Sequence, residues 1–560
     1  MNQTYGEIKL TRDKKSWVIT GLPPHLLIKI KAMFPKLPKY TKLGRIVLKR
    51  NLENSRDLEW FHQRYPFGGD PSMLDSLTAD AEEHKDTNNK IYSIINNETL
   101  EPVSIDLKPG LSLREYQSKF VQVVKHKKRM LLVDDVGLGK TISTIGAILA
   151  VNKPPAMVVM EPHLQNQWEE KIKEFSHLRV HKIKGMKPYV LPGADVYLMK
   201  YSCLIGWSDV VRDLSFSVMA FDEIQELRRN ESQKYGVAKE LADNSEYVFG
   251  LSATPIYNYG DEIYNILDLV SPGVLGAKEG FIREWCSNGK RVRNPKALGT
   301  FLQSEHLMLR RTMESVGREI PPVNTIVHTV DFDRKALDRI QERAEVLAIT
   351  ALKGGFVERG RAARDLDAMV RHATGVSKAK SVAKYVKAIL DSGEKVLLAG
   401  WHRDVYDIWN RELSKYKPVM YTGSENQSQK DQSKKLFMEG DSKVMFISLR
   451  SGKGLDGLQH SCKYVVFGEF DWSPGVHTQV TGRIGRDGQQ EKVNSIFLTS
   501  DSGSDPEMIE ILGVKYQQSH GIINPLDSGP RQKQSDDSNV RKIVNKYAPK
   551  ELLFKEQVTQ

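Results

Sequence analysis

The stretch that decides the fold is LLVDDVGLGKT, running from Leu131 to Thr141. An apolar run, Met130 to Val133, stops abruptly at Asp134-Asp135. A loop carrying Gly137 and Gly139 follows, then Lys140-Thr141, then apolar residues at Ile142, Ile145 and Ile148. That order predicts a buried strand, a glycine loop and a helix. Glycine has no side chain to hold a ligand away, so backbone N–H groups of such a loop, with the helix N-terminus, can surround phosphate oxygens. In this reading Asp135, Gly137, Leu138 and Gly139 form the cradle and Lys140 reaches the β- and γ-phosphates of ATP. The Thr141 hydroxyl then sits on Mg²⁺. One departure stands out: the usual glycine loop begins with glycine where this chain has Asp134.

Working outward, Leu113-Arg114-Glu115-Tyr116-Gln117 lies one short helix before the central strand. A glutamine there can donate to and accept from one edge of adenine, so Gln117 is an ATP-binding candidate, with Arg114 beside it. A lone glutamine is also an ordinary surface residue. Downstream, Ala156–Met160, Val196–Met199, Val218–Phe221 and Tyr247–Leu251 read as strands separated by helical segments. One of these segments carries Leu164, Trp168, Ile172 and Phe175 as an apolar stripe that reads as core. Alternation at this spacing predicts a doubly wound parallel sheet whose ligands bind at the carboxyl ends of the strands. One such end carries Asp222-Glu223. Asp222 can hold Mg²⁺ and Glu223 can activate the attacking water, although Asp222 would also serve as a helix N-cap.

A second alternation begins near Lys378, with strands expected at Val396–Ala399, Val419–Tyr421, Val444–Ser448, Tyr464–Phe467 and Ser495–Leu498. Two stretches dominate it. One is the strand-end loop from Ser448 to Asp456, which holds Arg450, Lys453 and Gly454. The other is Gln479-Val-Thr-Gly-Arg483-Ile-Gly-Arg486. On a helix, Arg483 and Arg486 would share one face, and forked donors suit phosphoryl oxygens; a structural salt-bridge pair is the bland alternative.

The rest of the chain bounds these readings. At 560 residues it has room for three or four domains, and 40% hydrophobic with 27% charged residues is ordinary for a globular protein. A net charge of +12 favours polyanionic partners. The three cysteines are widely spaced, which argues against a disulfide framework or a metal cluster. The first thirty residues lack a signal-like apolar run, so a soluble cytoplasmic protein with no membrane partner is expected. Within residues 1–100, Lys29, Lys31, Lys36, Lys39 and Lys42 suggest a small DNA-recognition module, with a structural add-on as the equal alternative. Asp75 to Lys90 is polar and acidic and reads as a linker.

Taken together, GLGKT, Asp222-Glu223-Ile224-Gln225 and Leu251-Ser252-Ala253-Thr254-Pro255 resemble helicase superfamily 2. The later segments Leu309-Arg310-Arg311, Ser448 to Asp456 and Gln479 to Gln489 are similar to the Swi/Snf-type ATPases. The carboxyl half most resembles their annealing-helicase or fork-remodelling branch, in a compact bacterial or bacteriophage form. The resemblance spans about residues 110 to 515. It implies two RecA-like lobes of the α/β class with a helical insertion between them and a small N-terminal α+β domain. The expected boundaries are 1–100 for that accessory domain, 107–275 for the first lobe, 276–375 for a helical protrusion and linker, 376–525 for the second lobe and 526–560 for a tail. It also implies that Gly454, Asp456 and Gln479 help bind ATP, that Arg483 and Arg486 act as arginine fingers, and that Arg450 and Lys453 contact DNA. Arg359 and Arg361 are further DNA candidates, equally readable as a solvated helix face. The function expected is ATP-dependent translocation on double-stranded DNA by an enzyme that is monomeric when acting and remodels forks or four-way junctions. A motor that displaces or recycles RNA polymerase or other DNA-bound proteins and a non-catalytic DNA-binding scaffold are the alternatives.

Overall fold

The computed structural model describes residues 4–34, 37, 44–96, 103–211, 213, 215–253, 255, 261–287, 291–317, 323–449, 455, 457–486, 488–510, 512 and 546–549. It opens with an antiparallel sheet of β1 (Glu7–Leu10), β2 (Ser16–Thr20) and β3 (Arg45–Lys49). Alternation along these strands turns Ile8, Trp17, Ile19, Ile46 and Leu48 inward. There they meet Leu26 and Ile30 of α1 (Pro24–Met33), Leu58 and Phe61 of α2 (Leu52–Arg64) and Leu77 of α3 (Pro71–Ile95).

The helix α3 overturns the linker expected from Asp75 to Lys90. Its 25 residues are capped by Asp70, whose side chain accepts from the Ser72 N–H. The buried positions are Leu77, Asp80, His84, Ile91 and Ile94, so polar residues fill part of the inward stripe and hide its periodicity. Asp80 is satisfied there by Arg50, at 2.8 and 2.7 Å, and by the Ser55 hydroxyl at 2.8 Å. Ser55 in turn accepts from the Trp17 indole N–H at 2.9 Å. This fully partnered network avoids the cost of burying a lone carboxylate. At the far end of α3, Ile91 and Ile94 join the core of the next domain.

That domain is built on a seven-stranded, all-parallel sheet. After α4 (Glu115–His126) come β4 (Arg129–Leu132), α5 (Lys140–Val151), β5 (Ala156–Met160), α6 (Gln165–Phe175), β6 (Val180–Lys182), β7 (Val196–Lys200), β8 (Val218–Asp222) and β9 (Tyr247–Leu251). A two-residue hairpin, β10 (Cys286–Ser287) with β11 (Arg291–Val292), precedes β12 (Met308–Leu309). The order is β12-β4-β9-β8-β5-β7-β6. Buried on both faces, the central strands are continuous apolar runs such as AMVVM in β5.

The second parallel sheet has the order β13-β18-β17-β14-β16-β15. Its strands are β13 (Val323–Thr329), β14 (Val396–Gly400), β15 (Val419–Tyr421), β16 (Val444–Ser448), β17 (Tyr464–Phe467) and β18 (Val493–Thr499). Residues 276–375, expected to be helical, thus give a strand to each sheet: β12 pairs with β4, and β13 pairs with β18. Both are edge strands. β13 is mostly exposed, so its residues lack the apolar run that marks a central strand. The helices Gln341–Lys353 and Phe356–Asp391 pack together around Ala344, Ala348, Leu366 and Val370. Tyr547 and Ala548 of the tail pack on that pair.

The chain divides into two units: residues 1–133, 139–255 and 259–309 form one, and residues 134–138, 256–258 and 310–560 the other. Among the described residues, no helix is long and apolar enough to cross a membrane, and Cys203, Cys286 and Cys462 are buried and form no disulfide.

Candidate nucleotide site

The glycine loop leaves β4 at its carboxyl end, as expected. Gly137 and Gly139 take positive φ angles of 92° and 76°, which L-residues rarely adopt. α5 then begins at Lys140, with Gly139 in the position before it. Behind Gly139 lies Gln117: a Cβ added at Gly139 would stand 2.8 Å from the Gln117 side-chain nitrogen. The Gln117 carboxamide oxygen accepts from the Arg114 N–H at 3.0 Å, so it caps α4 while its nitrogen faces the phosphate loop. Gly139→Ala therefore meets both a backbone penalty and a side-chain clash. We expect it to lower affinity for a fluorescent ATP analogue at least tenfold with the thermal unfolding midpoint shifted by only a few degrees; unchanged affinity would show that the loop does not hold the nucleotide.

The Asp134 departure has a structural reason. Asp134 is fully buried, and Arg311 holds it with both Nε, at 2.9 Å, and Nη2. Its neighbour Asp135 accepts from Arg310 at 2.5 Å and from the Met313 N–H at 3.0 Å. The Asp135 N–H in turn donates to the Arg311 carbonyl at 3.0 Å. Two carboxylates and two guanidiniums thus clamp the start of the loop to the segment after β12. In the sequence these partners stand about 175 residues apart, and nothing local pairs them.

Asp222 ends β8, one strand away from β9, which itself neighbours β4. Its Oδ2 accepts from the Trp168 indole N–H at 2.8 Å, and its carbonyl accepts from the Tyr201 hydroxyl at 2.9 Å. Trp168, which the apolar stripe marks as core, is indeed 1% exposed, yet it also orients this carboxylate. Periodicity alone could not have revealed that second role. Burial pushes the Asp222 carboxyl up to about 6, the neighbouring Glu223 charge adds to this, and Trp168 and Lys140 oppose it. Glu223 takes φ 53°, a left-handed conformation unusual for a residue with a side chain, and Gln225 donates to its carboxylate. Backbone strain of this kind costs roughly 1–3 kcal/mol and concentrates at functional sites.

The donor set suits Mg²⁺: a carboxylate reluctant to carry its charge unneutralised, and a hydroxyl at the start of a phosphate-binding helix. Asp222 and Thr141 would hold the ion, which would neutralise charge on the phosphates. Among the described residues, no cluster of three or more His, Cys, Asp or Glu residues could hold a metal ion.

In the second unit, the helix that begins at Pro474 ends at Thr481, so Arg483 and Arg486 do not share a helical face. They follow it in tight turns, because Gly482 and Gly485 break the helix. The Arg483 guanidinium donates to the Leu455 carbonyl at 3.3 Å, and Arg486 Nε donates to the Gly482 carbonyl at 2.9 Å. Gln479 lies buried on the preceding helix. Arg450, Lys453, Gly454 and Asp456 lie outside the described residues, as do Thr254, Lys36, Lys39 and Lys42. Arg359 and Arg361 sit exposed on the long helix Phe356–Asp391, where Arg361 lies 3.9 Å from Asp365.

Residues 113–389 match the SNF2-related domain and residues 378–488 the helicase conserved C-terminal domain. The uncharacterized ATP-dependent helicase YqhH of Bacillus subtilis is 23% identical over 461 residues, 75% of this chain and 81% of that protein. The SWI/SNF-related matrix-associated actin-dependent regulator of chromatin subfamily A-like protein 1 of Xenopus tropicalis is 26% identical over 73% of this chain and 45% of its own length. The human DNA annealing helicase and endonuclease ZRANB3 is 23% identical over 72% of this chain and 39% of its own length. The chain thus spans less than half of the last two. A solved structure of the Sulfolobus solfataricus SWI2/SNF2 ATPase core in complex with dsDNA is 21% identical, with a TM-score of 0.37, covering 76% of this chain and 96% of that one.

Proposed function

The chain belongs to the Swi/Snf-type ATPases of helicase superfamily 2, and from that premise we propose that it translocates on double-stranded DNA and remodels branched structures such as forks and four-way junctions. The observation that carries the reading is the gathering of Lys140, Asp222 and Glu223 at the carboxyl ends of one parallel sheet. In this proposal Lys140 and Thr141 bind the phosphates, Glu223 activates water, and Gln479, Arg483 and Arg486 complete the site from the second lobe. Neither lobe suffices alone, so ATP favours closure and phosphate loss favours opening. If both lobes hold phosphates of one strand, each cycle advances the protein along the duplex. Such contacts carry little sequence information, and binding is accordingly salt-sensitive. The branch preference is suggested by the relative named as an annealing helicase.

Two measurements test this. Glu223→Gln is expected to retain ATP and duplex DNA while phosphate release falls by two orders of magnitude or more; undiminished release removes Glu223 as the base. ATP turnover of the wild-type protein on fork and junction DNA should exceed that on linear duplex of equal length. Equal stimulation would instead indicate a motor that displaces DNA-bound proteins, and no stimulation by any DNA would overturn the reading.

A further inference from the structure

The positive charge of this chain is concentrated at its front. The first fifty residues contain twelve Lys and Arg against two Asp and Glu, so they supply ten of the net +12 while the remaining 510 residues are close to neutral. Residues 51–96 reverse the sign, with four basic and nine acidic residues. In sequence, the basic residues thus fall on the β1–β3 and α1 part of the N-terminal domain and the acidic ones on its α2–α3 part. The domain also lies outside residues 113–389 and 378–488, the parts that match the family.

Strand register places much of this charge on one surface. With Ile8, Trp17, Ile19, Ile46 and Leu48 turned inward, the opposite face carries Lys9, Val18 and Val47 in one row across the sheet. Glu7, Thr20 and Arg45 form the row on one side, and Ser16 pairs with Lys49 in the row on the other. The β1–β2 turn adds exposed Arg12, Lys14 and Lys15 at the Lys49 end, where the Arg50 N–H donates to the Lys15 carbonyl. The two acids are occupied locally: Glu7 pairs with Lys9 at 2.7 Å, and Asp13 accepts from Thr11 and the Lys15 N–H within the turn. Among the described residues of the three strands, the aromatic ring is that of Trp17, which is fully buried on the other face, so they offer no platform for stacking on unpaired bases. Cations around a small aliphatic centre suit a phosphate backbone rather than base edges.

We propose that the open face of the β1–β2–β3 sheet, with its Arg12–Lys15 turn, is a second DNA-binding surface that grips the backbone of duplex DNA without regard to sequence. The proposal rests on the DNA-motor reading for its biological sense but is tested without ATP. Arg45→Ala/Lys49→Ala in the full-length protein removes two exposed cations with no described ion pair. Affinity for a fluorescent linear duplex is measured by anisotropy across a salt series. Each phosphate contact contributes about 0.9 to the slope of log affinity against log salt, so the slope should flatten by about 2. Raising salt from 50 to 200 mM should then cost the variant about tenfold less affinity than the wild type. The control Glu82→Ala/Glu83→Ala, on the exposed acidic side of α3, should leave the slope unchanged, and DNA-free ATP turnover should be equal in all three proteins. An unaltered slope in Arg45→Ala/Lys49→Ala overturns the surface, even where DNA still stimulates ATP turnover. A flattened slope alongside DNA-independent ATP turnover keeps the surface and sinks the motor reading. Equal flattening in the acidic control also overturns it.

Discussion

Arg486→Ala is expected to lower DNA-stimulated ATP turnover by about 10³- to 10⁵-fold, the range seen when a positioned arginine is lost from phosphoryl-transfer sites. Charge develops on the transferring phosphoryl group, and a guanidinium aimed at it acts mainly in the transition state. The side chain follows the break at Gly482, and its Nε is tied to the Gly482 carbonyl, which fixes the plane of the guanidinium. In the proposed site the phosphate loop and Lys140 carry most of the ground-state contacts, so affinity for an ATP analogue should change by less than about threefold. Arg486→Lys should recover little, because an ammonium cannot reproduce the planar fork. Near-normal turnover in Arg486→Ala would remove this residue from the catalytic set; a parallel collapse of nucleotide affinity would assign it to binding instead.

The second large effect concerns the Asp134–Arg311 pair. Arg311→Leu leaves a fully buried carboxylate without its bidentate partner, and breaking a buried pair from one side costs about 3–5 kcal/mol. A clear fall in the thermal unfolding midpoint is expected, together with loss of ATP binding as the loop start comes loose. Asp134→Gly/Arg311→Leu, which restores the commoner glycine and removes the orphaned charge, should regain most of the stability. An unchanged midpoint in the single variant would mean that Asp134 is satisfied without Arg311. Failure of the double variant to recover would show that the arginine acts through its packing rather than through the pair.

The central strand, glycine loop and acidic strand end were readable in the sequence because each depends on residues adjacent in the chain. LLVDDVGLGKT dictates its own strand, turn and helix, and Asp222-Glu223 follows directly from the apolar run before it. What escaped depends on partners brought from afar. Arg311 meets Asp134, and the Trp168 indole reaches Asp222, across separations that no periodicity encodes. α3 escaped because Asp80 and His84 sit where apolar residues would have marked a buried face. β13 escaped because an edge strand keeps Asn324, Thr325 and His328 among its apolar residues. Gly482 and Gly485 signalled the end of the helix before Arg483 and Arg486, but three-residue spacing suggested a continuing helical face.

The unbroken course of α3 has a mechanical implication. Its first half is held by Asp80 to Arg50 and Ser55, and its last turn contributes Ile91 and Ile94 to the core that includes Met130 and Leu132 of β4. The helix thus runs without a break from the N-terminal domain to the core of the domain that carries β4 and α5. If the front sheet holds duplex DNA as proposed, that DNA is joined to the parallel-sheet domain through a continuous helix rather than through a slack tether.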